Sequence, residues 1–163
     1  DVALDAWSGP RKGYESLHDF SGSKVHIEAK STRLNPPVVK INKIEQLDWR
    51  GNIPLVLAVS HITEHEEGLT LHQHVEEVSG MLSNSRRQRL LTLAGFVGYN
   101  SDHSYSTKHR LESVRWFQID GSSPIIQPQI LADIPSSVLS FKYDLQANEL
   151  QEIPEIQFGD LVE

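Results

Sequence analysis

A carboxylate and an amine lie two residues apart at Glu28 and Lys30, inside a segment of alternating apolar and polar side chains. Residues 24–30 alternate with the period of two that is typical of a β-strand, and side chains two apart on a strand project to the same side. Asp19 precedes this strand, and a turn at residues 21–23 predicts a hairpin that brings Asp19 close to Glu28. The sequence therefore predicts two carboxylates and one amine on a single surface.

These residue types are suited to the metal-assisted hydrolysis of a phosphate ester. The carboxylates of Asp19 and Glu28 and the backbone carbonyl of Ala29 are hard oxygen donors, which Mg²⁺ and Mn²⁺ prefer. A metal held there would neutralise charge on a scissile phosphate and activate a bound water, and Lys30 would orient that water or accept its proton. The pattern alone is a weak signal, because glutamate and lysine also alternate on the solvated faces of ordinary strands.

The elements around these residues are expected to form the first half of a mixed sheet. In order, they are a helix end at 2–7, strands at 17–20 and 24–30, a strand at 38–41, a short helix at 42–47 capped by Asn42, and a strand at 55–59. In the strand at 24–30, Val25, Ile27 and Ala29 are predicted to form the buried face. The continuous apolar run at 55–59 predicts a central strand that is buried on both faces.

Two helices and further strands are predicted in the rest of the chain. Thr70 and Gln73 have the spacing of a capping box, and the same spacing recurs at Ser85 and Gln88. Apolar residues follow each cap at helical spacing and are expected to pack on the sheet. They are Leu71, Val75, Val78 and Leu82 in the first helix, and Leu90, Leu91, Leu93 and Ala94 in the second. Strand candidates in the last third are 104–119, 125–126 and 138–143.

Composition places the chain among ordinary globular domains. With 163 residues, 38% of them hydrophobic, it is long enough to bury a core, and its lack of cysteine excludes disulfides and thiol nucleophiles. No apolar run approaches the ~18 residues of a membrane helix, and no signal segment opens the chain, so we expect a cytoplasmic protein with no membrane partner. The first residue is Asp, which indicates a processed product or a piece of a longer protein.

The motifs resemble those of a known nuclease superfamily. Leu17-His18-Asp19-Phe20, then Glu28-Ala29-Lys30-Ser31, then Gln46-Leu47, are similar to the PD-(D/E)XK motifs. More narrowly, the chain resembles a bacterial family of PD-(D/E)XK proteins of unknown function that are encoded near restriction-modification and phage-defence genes. This resemblance extends to about Leu145. It includes Trp7, Gly9, the strand around Leu57, Gly68, Gly98-Tyr99 and the segment 138–143.

The resemblance implies a metal-dependent DNA phosphodiesterase. Asp19 and Glu28 would be metal ligands, Lys30 would activate the water, and Gln46 would match a glutamine that supports the site in several branches. The sequence departs from the superfamily pattern in two places. The first helix, which often supplies another acidic residue of the site, is mostly absent. His18 replaces the proline that usually precedes the first motif aspartate, which is a tolerated variation.

The formal net charge of −7 means that the bulk field of the chain does not attract DNA, so contacts with phosphates would need a local cluster of basic residues. Arg86, Arg87 and Arg89 lie at the start of the second predicted helix, where a helix N-terminus also favours phosphate. An exposed helix with paired charges explains them equally well. Lys24, at the beginning of the alternating strand, is a further candidate. Partner subunits or domains are expected to supply most of the DNA affinity.

A cluster of histidines and glutamates in the middle of the chain raises the alternative of a zinc site. The residues are His61, His65, His72 and His74, with Glu64, Glu66 and Glu67. Their spacing fits no compact ligand pattern, so a solvated surface is the favoured interpretation.

We therefore predict a mixed α/β fold, with a mixed β-sheet flanked by helices in a restriction-endonuclease-like core and a β-rich C-terminal extension. The nuclease-like domain is expected at residues 1–145 and an acidic tail at 146–163. The predicted function is a Mg²⁺- or Mn²⁺-dependent DNA endonuclease of a bacterial restriction or anti-phage defence system. The alternative is a catalytically silent PD-(D/E)XK-like module that serves assembly or DNA recognition. The presence of both Glu28 and Lys30 favours the enzyme.

Overall fold

A computed structural model describes residues 4, 6–7, 17–135, 137–138 and 140–154 of the chain. The predicted N-terminal helix lies mostly outside these residues, although Leu4 and Ala6 are helical. The strands are β1 (Phe20–Ser21), β2 (His26–Thr32), β3 (Val38–Ile41), β4 (Leu55–Thr70), β5 (Lys108–Ile119), β6 (Tyr143–Gln146) and β7 (Glu152–Ile153). The helices are α1 (Leu71–Gly80) and α2 (Asn84–Phe96), with the 3₁₀ turns η1 (Ile44–Leu47), η2 (Pro128–Asp133) and η3 (Ala147–Glu149).

Five strands form the main sheet in the order β1-β2-β4-β5-β7, and β3 and β6 form a separate antiparallel pair. In the main sheet β2 runs parallel to β4, and all other neighbours are antiparallel. The register places Glu28 beside Leu57 and Lys30 beside Val59. Since residues in register project to the same face, Glu28 and Lys30 share the face of these two apolar residues.

The main core lies where the β3–β6 pair covers one face of the large sheet. The apolar run at 55–59 is buried throughout, as the sequence predicted for a central strand. Leu55, Leu57 and Val59 of β4 pack against Phe117 and Ile119 of β5. The other members of this core are Val39, Ile41, Leu47, Leu145, Ala147 and Leu150. A smaller cluster of Val25, Val56 and Ile153 lies on the opposite face of the sheet.

Strand β2 buries a different face from the one that alternation predicted. Val25 is buried as expected, but Ala29 is exposed, whereas Glu28 is only 1% exposed. The reason is that β3, β6 and η1 cover the face that carries Glu28, whereas among the described residues the buried cluster on the other face is the smaller one around Val56. The prediction that Ala29 belongs to the buried face was therefore wrong, and the burial of Glu28 on the other face matters for its chemistry.

Strand β4 is much longer than predicted, and its second half extends past β2. Beyond His61, β4 pairs only with β5 among the described residues, and the helices α1 and α2 connect these two strands. We call residues 62–112 the arm. Glu64 and Leu69 both lie opposite His109, so residues 65–68 form a bulge. Gly68 lies so close to His109 that a Cβ there would be 2.5 Å from its carbonyl oxygen.

The two helices of the arm begin near the predicted positions. Thr70 caps α1 with the predicted capping box, because its hydroxyl accepts from the Gln73 backbone N–H and the Gln73 side chain accepts from the Thr70 backbone N–H. The second predicted cap is wrong, since α2 begins at Asn84 after Ser83, whose side chain makes no capping bond. In α2, Leu93 and Ala94 are buried as expected.

The apolar stripe that was predicted to pack α1 on the sheet is only partly buried. Leu71 is 42% exposed and Val78 48% exposed, and Ser79 is the buried residue of this helix. The physical reason is that α1 lies in the arm, where β4 pairs only with β5 among the described residues and no further strand widens the sheet beneath the helix. The helix contacts β4, the strand that leads into it, and α2.

The C-terminal part contributes more to the core than its sequence pattern indicates. The strand expected at 104–119 is present as β5, but residues 125–126 form no strand and β6 starts only at Tyr143. Residues beyond the predicted domain end at Leu145 include the buried Ala147, Leu150 and Ile153. None of the helices in the described part of the chain is long and apolar enough to span a membrane.

Candidate active site

Glu28 is the centre of a group of polar side chains below the covered face of the sheet. Lys30 Nζ lies 2.6 Å from Glu28 Oε1, and Gln46 Nε2 donates to the same oxygen over 2.7 Å. Only 14% of the Lys30 side chain is exposed, so this ion pair is largely removed from solvent. The strand period explains why Glu28 and Lys30 meet, because residues two apart project to the same face.

Asp19 lies on the edge of this group, at the entry to β1. Its Oδ2 accepts a hydrogen bond of 2.9 Å from the backbone N–H of Ala29. The β1–β2 hairpin produces this contact, since Phe20 pairs with Ile27 and Asp19 is thereby carried toward the middle of β2. The hairpin prediction is confirmed in this respect, although residues 17–19 are bends and the strand is Phe20–Ser21.

Gln46 reaches Glu28 because η1 is anchored in the core through Ile44 and Leu47, which are 1% and 0% exposed. Its side-chain Oε1 accepts from the backbone N–H groups of Asn42 and Lys43, over 3.0 and 3.3 Å. These two bonds fix which end of the amide is the oxygen, so the NH₂ end points to Glu28. Lys43, not the predicted Asn42, precedes the first residue of the turn.

Burial changes the acid–base behaviour of Glu28. Desolvation, the largest cause, raises its pKa from 4.5 to about 7, and the negative charge of Asp19 acts in the same direction. The hydrogen bond and the positive charge of Lys30, with a backbone hydrogen bond at Asp19, oppose this rise. A carboxyl group with a pKa near neutrality can exchange a proton or a metal at physiological pH, and such groups concentrate at functional sites.

The donor set has the chemistry of a hard-cation site with an incomplete protein shell. The carboxylates of Asp19 and Glu28 come together. Ala29, the residue after Glu28, donates its backbone N–H to the Asp19 carboxylate. No group of three His, Cys, Asp or Glu side chains converges within the described residues. Mg²⁺ fits such a set, because it keeps several waters and is usually held by one or two carboxylates.

The sequence of the chain matches a known protein family. The family model described as "Putative PD-(D/E)XK family member, (DUF4420)" matches residues 1–148. The chain belongs to this family. No curated protein and no solved structure is similar enough to match it. The five-stranded mixed sheet with its two helices agrees with the restriction-endonuclease-like core that the sequence predicted for a PD-(D/E)XK protein.

The structure brings together the four residues that the sequence analysis matched to the PD-(D/E)XK motifs. Lys30 and Gln46 contact Glu28, Asp19 accepts from the backbone N–H of the adjacent Ala29, and all four lie within the residues that the family model matches. Gln46 lies 18 positions after Glu28 in the chain. The segment through β3 and η1 brings the Gln46 side chain back to the Glu28 carboxylate.

The candidate DNA contacts lie on segments other than those that carry these four residues. Lys24 is exposed in the turn between β1 and β2. Arg86, Arg87 and Arg89 lie in the first turns of α2, at the end of the arm.

The histidine cluster does not form a zinc site within the described residues. His72 Nδ1 lies 2.7 Å from the hydroxyl of Tyr99, and His74 Nε2 lies 3.3 Å from the carbonyl of His109. His65 instead accepts from the backbone N–H of Glu67 within the bulge of β4. These separate partners support the solvated-surface interpretation that the sequence favoured.

Two further histidines of this PD-(D/E)XK protein flank the carboxylates. The rings of His18 and His26 stack with their centroids 5.1 Å apart, and His18 is only 8% exposed. Burial and the neighbouring His26 lower the pKa of His18, while a backbone hydrogen bond with Gln46 opposes the change. The sequence signal was the replacement of the motif proline by His18, and the same-face spacing of His26 and Glu28 was a second.

Proposed function

We propose that this chain is a metal-dependent DNA endonuclease that hydrolyses phosphodiester bonds. The observation that carries the proposal is the contact set of Glu28, whose Oε1 receives both Lys30 Nζ at 2.6 Å and Gln46 Nε2 at 2.7 Å, with the Asp19 carboxylate beside it. These are the positions that match the PD-(D/E)XK motif. Membership of that family supports the nuclease assignment, since the superfamily consists largely of nucleases.

Asp19, Glu28 and the backbone carbonyl of Ala29 would hold a Mg²⁺ or Mn²⁺ ion in this proposal. Bound there, the ion would neutralise phosphate charge and lower the pKa of a water. Gln46 orients the Glu28 carboxylate, because its own amide is fixed by the backbone N–H groups of Asn42 and Lys43. The Lys30 ammonium is held at the same oxygen, where it can orient the attacking water or accept its proton.

The charge of the chain bears on how it would find DNA. With a formal net charge of −7 the domain repels a polyanion over distance, so we expect weak DNA binding by the isolated chain. We propose that partner subunits or domains of a bacterial restriction or anti-phage defence complex supply most of the affinity, in the cytoplasm. Lys24, Arg86, Arg87 and Arg89 are the candidate phosphate contacts of this chain.

The test is cleavage of plasmid DNA by the purified chain with Mg²⁺ or Mn²⁺ at pH 8, where Glu28 is ionised. Glu28→Ala is expected to abolish cleavage, whereas Glu77→Ala, an exposed glutamate on α1, is expected to leave it unchanged. Metal binding is measured in parallel by calorimetry. A wild-type chain that binds neither metal and cuts nothing would contradict the enzyme and favour the silent module for assembly or DNA recognition.

A further inference from the structure

We propose that Arg50, held in a fixed orientation by Asp48, binds a phosphate of the DNA backbone beside the Glu28 carboxylate. This inference deepens the proposed function, on which it rests for the identity of the ligand. Arg50 lies in the segment 48–54, which connects η1 to β4 and belongs to neither the PD-(D/E)XK motif residues nor the candidate DNA contacts.

The segment that carries Arg50 is bound to strand β2 at both ends. Four residues before Arg50, Gln46 donates to Glu28 Oε1 over 2.7 Å. Four residues after it, the carbonyl of Pro54 accepts from the His26 backbone N–H over 2.8 Å. His26 and Glu28 are alternate residues of β2 and project to the same face. Because four residues span at most ~14 Å, Arg50 lies close to the part of β2 that carries the Glu28 carboxylate.

The backbone at Arg50 is fixed by the residue before it. Trp49 packs against the main core, and its indole N–H donates to Gln127 Oε1 over 3.0 Å. The Trp49 ring also lies against Gly121, where a Cβ would be 3.1 Å from it. Arg50 itself is exposed, so its side chain extends into solvent from a held backbone. Such a position can contact a ligand without ordering a loose chain, which would cost conformational entropy.

Asp48 holds the guanidinium of Arg50 in one orientation. Nε donates to Asp48 Oδ1 over 2.8 Å, Nη2 donates to Oδ2 over 2.6 Å, and the Arg50 backbone N–H donates to Oδ1 over 3.2 Å. The two side-chain bonds use two of the five N–H donors of a guanidinium, so three remain for a ligand. A planar guanidinium can bind phosphate oxygens through two parallel hydrogen bonds, and its fixed plane decides where the phosphate lies.

The site needs cations besides the one in the motif. The Lys30 ammonium is bound to Glu28 Oε1 and is largely buried, so it is not placed to contact phosphates on either side of the scissile one. Lys24, two residues before His26, is exposed toward the same end of β2 as the Arg50 segment. In a chain with a net charge of −7, such local cations are what can hold DNA across the site.

An ordinary surface ion pair is the alternative explanation of Arg50 and Asp48, because such pairs are common and contribute little to stability. Arg33 and Glu64 provide the matched control, since they also form an exposed ion pair, with 62% and 55% of their side chains exposed. Arg33 follows the other end of β2, directly after Thr32. Arg50→Gln and Arg33→Gln therefore make the same change in net charge at opposite ends of one strand.

The test measures binding of the metal-free chain to a fluorescent DNA duplex by anisotropy, over a series of NaCl concentrations. Arg50→Gln is expected to weaken binding about tenfold at ~50 mM NaCl and to reduce the salt slope of the binding constant by about 1, the value of one phosphate contact. Arg33→Gln is expected to stay within about twofold of wild type, with an unchanged slope. Equal effects of the two variants overturn the proposal, because only net charge would then matter.

Removal of the partner carboxylates separates orientation from charge. Asp48→Ala and Glu64→Ala each delete one negative charge, so the bulk field alone predicts tighter DNA binding by both variants. Because Asp48 orients Arg50, we expect Asp48→Ala to weaken binding by about threefold or more, whereas Glu64→Ala does not weaken it. Tighter binding by both variants overturns the orienting role of Asp48.

Cleavage distinguishes the role of Arg50 from the proposed function. In a chain that cuts DNA, Arg50→Gln is expected to raise KM about tenfold and to change kcat by less than about threefold, as loss of a uniform binding contact implies. A wild-type chain that binds DNA and never cuts it would contradict the nuclease, while the comparison of Arg50→Gln with Arg33→Gln still decides the role of Arg50. A wild-type chain that binds no DNA overturns both.

Discussion

Gln46 and Glu28, 18 positions apart in the chain, are joined by a hydrogen bond of 2.7 Å from Nε2 to Oε1. The donor amide cannot turn freely, because its oxygen accepts from two backbone N–H groups, those of Asn42 and Lys43. The acceptor is a carboxylate that desolvation destabilises in its charged form. The bond therefore stabilises the ionised form of Glu28. The position of η1 fixes the direction from which Gln46 donates.

Replacing Gln46 by Met removes this donor and keeps the length of the side chain. The pKa of Glu28 is then expected to rise further above about 7, by about 1 to 2, since a hydrogen bond to a charged group contributes ~1.5–3 kcal/mol. The measurement is an NMR titration of the Glu28 carboxyl carbon. Gln88→Met, at an exposed position of α2, is the control and is expected to leave that titration unchanged. An unaltered pKa in Gln46→Met would show that the bond does not stabilise the carboxylate.

The raised pKa of Glu28 also predicts how stability depends on pH. The folded protein holds this proton up to about pH 7, whereas the unfolded chain releases it near pH 4.5. The folded state therefore binds more protons between these values, and the contribution of Glu28 to the free energy of unfolding falls as pH rises through this window. The full difference corresponds to roughly 3 kcal/mol, with no further change above about pH 7.

Urea unfolding of the wild type and Glu28→Gln at pH 4, 5, 6, 7 and 8 measures this effect. The difference in free energy of unfolding between the two chains is expected to change in favour of the glutamine variant from about pH 4.5 to about pH 7, then to stay constant. A difference that does not vary with pH would mean that Glu28 titrates normally. Comparison at each pH removes the contributions of the other carboxylates and histidines, which both chains share.

The burial of Glu28 could not be predicted from the alternation of side chains within its own strand. Alternation at residues 24–30 correctly placed Glu28 and Lys30 on one face, because that relationship is local to one strand. Which face is buried depends on η1 and the β3–β6 pair, and these pack against β2 from distant parts of the sequence. For the same reason Gln46 was predicted only through the family resemblance, since nothing in its local pattern indicates the return to Glu28.

Local and non-local signals differ in the rest of the fold as well. The capping box of Thr70 and Gln73 was predictable, because it involves neighbours in sequence. Strands β6 and β7 were not predictable, because β6 pairs with β3 and β7 pairs with β5, and both partners are distant in the sequence. In α1 the helical spacing of the apolar residues is regular, but Leu71 and Val78 stay exposed because no strand beyond β4 and β5 widens the sheet beneath the helix among the described residues.

Gly68 is expected to be essential for the bulge in β4. A Cβ at this position would lie 2.5 Å from the carbonyl oxygen and 3.0 Å from the nitrogen of His109, both backbone atoms that cannot rotate away. Gly68→Ala should therefore lower the free energy of unfolding by ~1–3 kcal/mol, the usual cost of overpacking.

Gly80→Ala is the matched control for this prediction. Nothing lies within 4 Å of a Cβ at Gly80, which is the last residue of α1, so alanine is expected to be neutral or stabilising by up to ~1 kcal/mol. Chemical denaturation of the two variants makes the comparison. Equal stabilities would show that the bulge opens without cost, contrary to the close approach of the two backbones.

Lys30 has an effect on Glu28 that can be separated experimentally from the catalytic role proposed for it. Lys30→Met removes the ammonium that lies 2.6 Å from Glu28 Oε1, and this contact lowers the pKa of Glu28. In the variant that pKa should rise above about 7, so metal binding, which needs the ionised carboxylate, should weaken at pH 7 and recover at pH 9. If Lys30 also orients or deprotonates the attacking water, DNA cleavage should stay at least about a hundredfold below wild type at both pH values. Lys40→Met, an exposed lysine on β3, is the control and should change neither quantity. Cleavage that recovers fully at pH 9 would limit Lys30 to tuning Glu28, and equal cleavage at pH 7 would remove it from the mechanism while leaving the enzyme class intact.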